Sequence, residues 1–368
     1  PIFAAGQNAS GSSIALALDP AGNANLLLGA ATDAGSGVFF ARFSSGTFTF
    51  SPVRLGGQVA GDLMRLAVDP TGRPHAVWRT GPGLSYKLFY ATTASDGGFD
   101  VTEVEDGGRV TYPQYDVGVS PDGTTHIAYV RTNAPVVDGG TGTELVVRYA
   151  TIGSGGLTFE EIERGPLLSG SGNFGLRLDL GFNPNGDAVA SYMIDEGDGG
   201  VRLTVATRAS TGAWTFERPG DVRGFGWVNA RVNSNAAGAT RMLISQPAPR
   251  AGYTQFLQKT AAGWQPLDLG TSDAGLDEFW AQGRFGNDGT LNIISTVYNG
   301  AGVGTYQRRI EPLPISKALL HGANTGFNYG TNVPPVVALG ADGSTHQVWV
   351  ENDMLAPFTS RWWYTIRR

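Results

Sequence analysis

Asp116 and Asp179 stand four residues before two similar turns, SPDG at 120–123 and NPNG at 183–186. Two carboxylates held about 5–10 Å apart can hydrolyse a glycosidic bond, one as acid and the other as base or nucleophile. Tyr112, Tyr115 and Arg177 lie close to them in sequence. That trio suits a lyase, in which arginine stabilises a uronate carboxylate and tyrosine moves the proton. Three histidines, His75, His126 and His346, each fall three residues beyond a turn glycine. Three imidazoles could ring a metal ion. Trp227 and Trp280 could stack on sugar rings, and the forks of Arg65, Arg177, Arg231 and Arg284 could grip carboxylates.

What must position these groups is a repeat. The turn recurs as DPAG, DPTG, SPDG, NPNG, NSNAAG, GNDG and GADG. The starts, at residues 19, 69, 120, 183, 233, 286 and 340, are 50, 51, 63, 50, 53 and 54 residues apart. Each turn joins two short alternating runs, such as LMRLAV before DPTG and HAVWRT after it. A third run (KLFYATT, VVRYATI, RLTVATR) leads through a glycine hairpin to a fourth. Alternation bounded by Gly, Pro and Asp turns is the strand signature. Four strands about every fifty residues predict an all-β, seven-bladed β-propeller with four antiparallel strands per blade.

The predicted blades are 12–55, 61–105, 110–164, 172–217, 225–268, 277–320 and 333–368, within one domain spanning 1–368. The last unit stops at its third strand, RWWYTIRR, while PIFAAGQ opens the chain as an orphan strand. Residues 1–7 are therefore expected to close the ring as the outer strand of blade seven, leaving no open edge. The long interval is a loop, RTNAPVVDGGTGTEL, in blade three plus a longer entry to blade four.

Inner-strand residues alternate, and the apolar set Leu18, Val68, Val119, Phe182, Val232, Phe285 and Leu339 is expected in the seams between blades. The other phase is expected to line a central channel. At one level lie Ala17, Ala67, Gly118, Gly181, Arg231, Arg284 and Ala338; at the next, Ala15, Arg65, Asp116, Asp179, Asn229, Gln282 and Val336. Toward the mouth come Gln114, Arg177, Trp227 and Trp280, with Arg79, Arg131 and Asp195 on loops beside them. The ligand-binding candidates are Arg65, Gln114, Arg177, Trp227, Asn229, Arg231, Trp280, Gln282 and Arg284. They suit a carbohydrate or a protein ligand at one mouth. Nothing in the spacing of Asp116, Asp179, Tyr112, Tyr115 and Arg177 demands catalysis, so a binding protein leads and a polysaccharide lyase or glycosidase is the alternative. The histidines share their repeat position with Val189 and Arg241, and the blade of His346 is not adjacent to that of His75. That is a poor metal ring, and each histidine is expected to cap its own turn.

Composition excludes several classes. A net charge of −6 with 16% charged residues leaves no basic stripe for nucleic acid. No run of eighteen apolar residues could span a bilayer as a helix. There is no cysteine, and no P-loop, dinucleotide fingerprint, zinc spacing or G-x-S-x-G elbow. No cofactor is expected, although NPNGDA and DEGDGG carry oxygen ligands that could hold a structural calcium. An N-terminal Pro1, few lysines and much glycine, serine, threonine and asparagine suggest a secreted or cell-envelope protein, expected to be a monomer.

The unit LAVDPTGRPHAVWRT…KLFYATTASDGGFDVTEVED resembles a repeat of secreted or lipid-anchored bacterial propeller proteins, loosely AVDxxGxPHIAY…LxYAT…GxWxxExVD. The resemblance covers the chain, most clearly in blades two to four. It implies architecture and an extracytoplasmic setting rather than an activity. The chain is also distantly similar to sialidase-type and ulvan-lyase propellers. It lacks the S-x-D-x-G-x-x-W box of the former and the Trp-Asp dipeptide of WD40 blades, and no catalytic residue carries over.

Overall fold

The computed structural model describes residues 2, 8–32, 35–55, 64–80, 87–105, 115–133, 144–153, 155–166, 178–195, 201–209, 211–219, 221–222, 229–234, 240–246, 253–266, 277–285, 291–298, 303–310, 316–323, 336–340, 342–352 and 360–367. All regular structure among them is strand. Blade one comprises β1 (Asn8–Leu18), β2 (Ala24–Thr32), β3 (Gly35–Ser44) and β4 (Thr47–Leu55). Blade two comprises β5 (Arg65–Val68), β6 (Pro74–Thr80), β7 (Lys87–Thr93) and β8 (Phe99–Glu105). Blade three comprises β9 (Tyr115–Val119), β10 (Thr125–Asn133), β11 (Glu144–Gly153) and β12 (Gly156–Pro166). Blade four comprises β13 (Asp179–Phe182), β14 (Ala188–Asp195), β15 (Val201–Arg208) and β16 (Trp214–Glu217), with the short β17 (Asp221–Val222) also on β15. Blade five comprises β18 (Asn229–Ser234), β19 (Thr240–Gln246), β20 (Tyr253–Thr260) and β21 (Gly263–Pro266). Blade six comprises β22 (Asp277–Phe285), β23 (Leu291–Tyr298), β24 (Val303–Ile310) and β25 (Ser316–Ala323). A last sheet holds β26 (Val336–Leu339), β27 (Thr345–Asn352) and β28 (Ser360–Arg367).

Four-stranded blades therefore number six, not the expected seven, since the last sheet has three strands among the described residues. The expected closing strand over 1–7 is not formed at Ile2, which carries no strand; residues 1 and 3–7 lie outside the described residues. Ile2 is instead buried among Ile14, Leu16, Leu28 and Val348. Its apolar side chain fills a seam rather than an edge.

The inner hairpins follow from their turn residues. The Asp19 carbonyl accepts the Gly22 N–H at 2.8 Å, and the Asp19 N–H donates to the Asn23 carbonyl at 3.0 Å. Gly22 sits at φ 80°, the left-handed position that closes a type I turn with a bulge. The Asp19 carboxylate accepts the N–H groups of Ala21 and Asn23, which fixes the turn from within. The same backbone ring recurs at Asp69, Ser120, Asn183 and Gly340.

Outer strands carry an irregularity that the alternating pattern hides. The ladders slip by one residue between Val38 and Phe39, Leu88 and Phe89, and Val147 and Arg148. The extra residues, Val53, Val104 and Ile162, are buried. Each is a β-bulge that turns an outer-strand side chain inward. In blade four the outer strand breaks between β16 and β17, at the segment containing Pro219, which has no N–H for the ladder.

By contacts the chain forms two compact units. The first holds Pro1–Pro113, Val117–Thr125 and Tyr329–Arg368; the second holds Gln114–Asp116 and His126–Asn328. In the first unit, one core joins Leu26, Leu28 and Phe39 of blade one to Val348 of β27. Another joins Ala15, Leu27 and Val38 to Trp78 and Phe89 of blade two. In the second unit, Val147, Tyr149 and Ile162 of blade three meet Leu178, Leu180 and Tyr192 of blade four. Val189, Leu203 and Val205 then meet Val232, Met242 and Leu257 of blade five.

Candidate functional site

These cores show where inner-strand side chains point. Leu16 packs with Val348 on one side of β1, while Ala15 packs with Trp78 on the other. Val336 and Ala338, both expected on the channel wall, pack against the core of blade one. The two phases of an inner strand thus serve two successive seams, because a sheet's faces look at its neighbouring sheets. Leu18, Phe182 and Val232 do occupy seams as the sequence suggests. At Ala15, Asp116, Val336 and Ala338 the predicted wall is corrected to a second set of seam residues.

The two candidate carboxylates meet strand β13 in different ways. Asp116 Oδ2 accepts the N–H of Leu180 at 2.9 Å, which places it between blades three and four. Asp179 pairs with Ser191, which alternates with Val189 and Met193 on the face toward blade five. Each carboxylate is buried, and Asp179 itself begins β13. Tyr115 is 1% exposed. Arg65 is half-buried, and its Nη1 donates to the Met64 carbonyl at 3.3 Å. Tyr112, Gln114, Arg177 and Trp227 lie outside the described residues. Asn229 and Arg231 are on β18, and Trp280, Gln282 and Arg284 are on β22; only their strand positions are described.

The histidines are building elements. His75 Nδ1 lies 2.7 Å from the Tyr90 hydroxyl and 2.9 Å from Thr125 Oγ1, and its Nε2 faces Asp69 of its own turn at 3.5 Å. His126 Nδ1 meets the Tyr149 hydroxyl at 2.6 Å. His346 Nδ1 meets the Tyr364 hydroxyl at 2.6 Å, and its Nε2 meets Ser344 Oγ at 2.9 Å. Burial pushes the His75 imidazole below its ordinary pKa despite the nearby Asp69, and it raises the Tyr90 phenol. Among the described residues, no group of three or more His, Asp or Glu side chains is placed to hold a metal ion. In NPNGDA, the Asp187 carboxylate accepts from Asn183 Nδ2 at 2.8 Å.

The polar chemistry of the second unit centres on blade three's outer strand. Glu160 Oε1 accepts Arg208 Nε at 2.5 Å and the Trp214 indole N–H at 3.1 Å. Glu217 does the same one blade on, accepting Lys259 Nζ and the Trp264 indole N–H. Beyond the bulge at Ile162, Glu163 makes a different site. Its Oε2 accepts the Tyr192 hydroxyl at 2.8 Å, and its Oε1 accepts Arg202 Nη2 at 2.5 Å. The Glu163 and Arg202 side chains are 18% and 21% exposed, while Tyr192 is 1% exposed. Burial, and then the Glu163 charge, push the Tyr192 hydroxyl far above its ordinary pKa, so it remains a hydrogen-bond donor. Sequence reasoning missed Glu163, Tyr192 and Arg202. Tyr192 shares its repeat position with Tyr129 in the blade before and differs from Ile244 in the blade after, so position alone gave little signal.

Blades of four antiparallel strands joined through apolar seams define a β-propeller. Solved structures bear this out. An ulvan lyase, described as a new family of polysaccharide lyase bound to -[GlcA(1-4)Rha3S]-, is similar with TM-score 0.62 and 11% identity, over 98% of this chain and 96% of that one. The polysaccharide lyase Uly1 gives TM-score 0.54 and 11% identity, over 99% and 93%. Prolyl oligopeptidase B from Galerina marginata gives 0.53 and 12%, over 96% of this chain and 52% of that one. No protein-family model matches the sequence, and comparison with curated proteins finds no match. No helix among the described residues is long and apolar enough to cross a membrane.

Proposed function

We propose that this protein is an extracytoplasmic propeller that binds an acidic polysaccharide as a monomer, without nucleic acid. The observation that carries the reading is the Tyr192–Glu163–Arg202 cluster. A buried hydroxyl donor and a partly exposed guanidinium converge there on one carboxylate position. That donor set recognises carboxylates. Likeness to a propeller described as bound to -[GlcA(1-4)Rha3S]- supports the ligand class. Trp227 and Trp280 enter as stacking contacts, with Arg177, Arg231 and Arg284 as further cations.

Titration calorimetry with a glucuronate-containing polysaccharide tests this reading against a neutral glucan. Binding of the acidic chain alone, weakened about tenfold by Trp227→Ala, is expected; the loss matches a lost stacking contact of about 1.4 kcal/mol. Equal or absent binding of both polymers overturns the reading.

The second reading, a polysaccharide lyase, is favoured by the lyase neighbours. Such an enzyme removes the proton beside a uronate carboxylate and expels the β-glycosidic oxygen, leaving an unsaturated sugar. Tyr112, Tyr115, Arg177, Asp116 and Asp179 remain its candidate residues. Ultraviolet absorbance of the unsaturated product decides between the two readings.

A further inference from the structure

Glu163 sits where a ligand carboxylate would sit. One of its oxygens takes the hydroxyl of Tyr192, which is anchored in the core with Tyr149, Leu178 and Leu180. The other takes Arg202. Both donors come from blade four, on adjacent strands β14 and β15, where Tyr192 pairs with Thr204 and Ile194 with Arg202. The sheet fixes their backbone positions whether or not Glu163 is present. Glu163 comes from another blade and lies one residue beyond the bulge at Ile162, on an outer strand. Its neighbour Glu161 pairs instead with Arg164 at the exposed surface.

With Glu163 turned outward, the same place offers the Arg202 cation and the neutral Tyr192 donor to an anion. We infer that Glu163 is an internal occupant of a carboxylate-binding site formed by Tyr192 and Arg202, and that the acidic group of a uronate-bearing glycan binds by taking its place. The inference rests on the carbohydrate reading above and names the group recognised and the residue that competes for it. Partial exposure gives the Glu163 carboxylate a way out to water, so displacement does not strand a buried charge.

The test is a gain of affinity. The Glu163→Gln variant keeps an acceptor for the Tyr192 hydroxyl but no longer holds Arg202 by charge. Its affinity for the glucuronate-containing polysaccharide should rise about tenfold, the equivalent of one charge-assisted hydrogen bond. Free glucuronate should follow the same order, and rhamnose should not respond. Arg202→Gln should lose about tenfold, and thermal melts should show both variants folded. Because Glu163→Gln could disturb packing, Tyr192→Phe offers a second measure, with a loss of affinity at retained fold. Polymer binding by the wild type that is unchanged or weaker in Glu163→Gln overturns the inference and leaves the carbohydrate reading standing. No binding by any variant overturns both. Inorganic sulfate is the other probe, and a preference for sulfate over glucuronate would also overturn the carboxylate assignment.

Discussion

Two carboxylates three residues apart on β12 face the same neighbouring blade and meet it differently. Glu160 takes an indole N–H and an arginine, and Glu217 repeats that arrangement one blade on with Trp264 and Lys259. Glu163 takes a tyrosine hydroxyl and an arginine, but the corresponding residues one blade on are Gly220, Ile244 and Tyr253. The Glu160 arrangement recurs in the next seam, as a joint of the repeat would. The full Tyr192–Glu163–Arg202 trio is not repeated there, although Glu105 and Tyr129 stand at its first two positions one blade earlier, and departures from internal consistency mark functional or strained sites. On the proposed function, Glu160 is joinery and Glu163 is recognition.

The comparison breaks most sharply through the aromatic partners. Tyr192→Ala empties a buried position and should cost about 3–5 kcal/mol in denaturant unfolding. Tyr192→Phe should cost only about 1–2 kcal/mol, since shape is kept and one hydrogen bond is lost. Glu160→Ala should cost roughly 1 kcal/mol, because its ion pair is partly hydrated, and should leave glycan affinity within about twofold. A change in affinity there would erase the distinction from Glu163.

The histidine–tyrosine pairs at the turns sharpen it further. The folded-state pKa of His75 is lowered by burial, so the unfolded chain binds a proton that the folded chain refuses. Stability should fall as pH drops below the ordinary histidine value, and His75→Asn, copying Asn25 of blade one, should flatten that dependence in melts from pH 7 to 5. Smallest of all, Phe216→Ser on an outer strand, where Phe216 is 45% exposed, should shift stability by no more than about 0.5 kcal/mol.

The strand order and turns were legible because Asp19, Gly22 and their repeats act locally, on N–H groups two and four residues away. Leu18, Phe182 and Val232 were legible as seam residues because apolarity at one phase needs no partner to be identified. The opposite phase was misread. Ala15 and Asp116 look like channel lining only if a strand has one neighbour, but Ala15 packs toward blade two and Asp116 bonds to blade four. Glu163 was hidden for another reason: the bulge at Ile162 shifts its register by one, which alternation alone does not reveal. The closing strand failed at Ile2, where an apolar residue that suits a strand equally suits a plug.

The inserted valines and isoleucine of the outer strands have a consequence for solubility. A straight perimeter strand would offer an unbroken row of free amides to any passing chain. Val53, Val104 and Ile162 each interrupt that row and bend it. A chain meeting the rim of these three blades therefore finds no continuous template to extend.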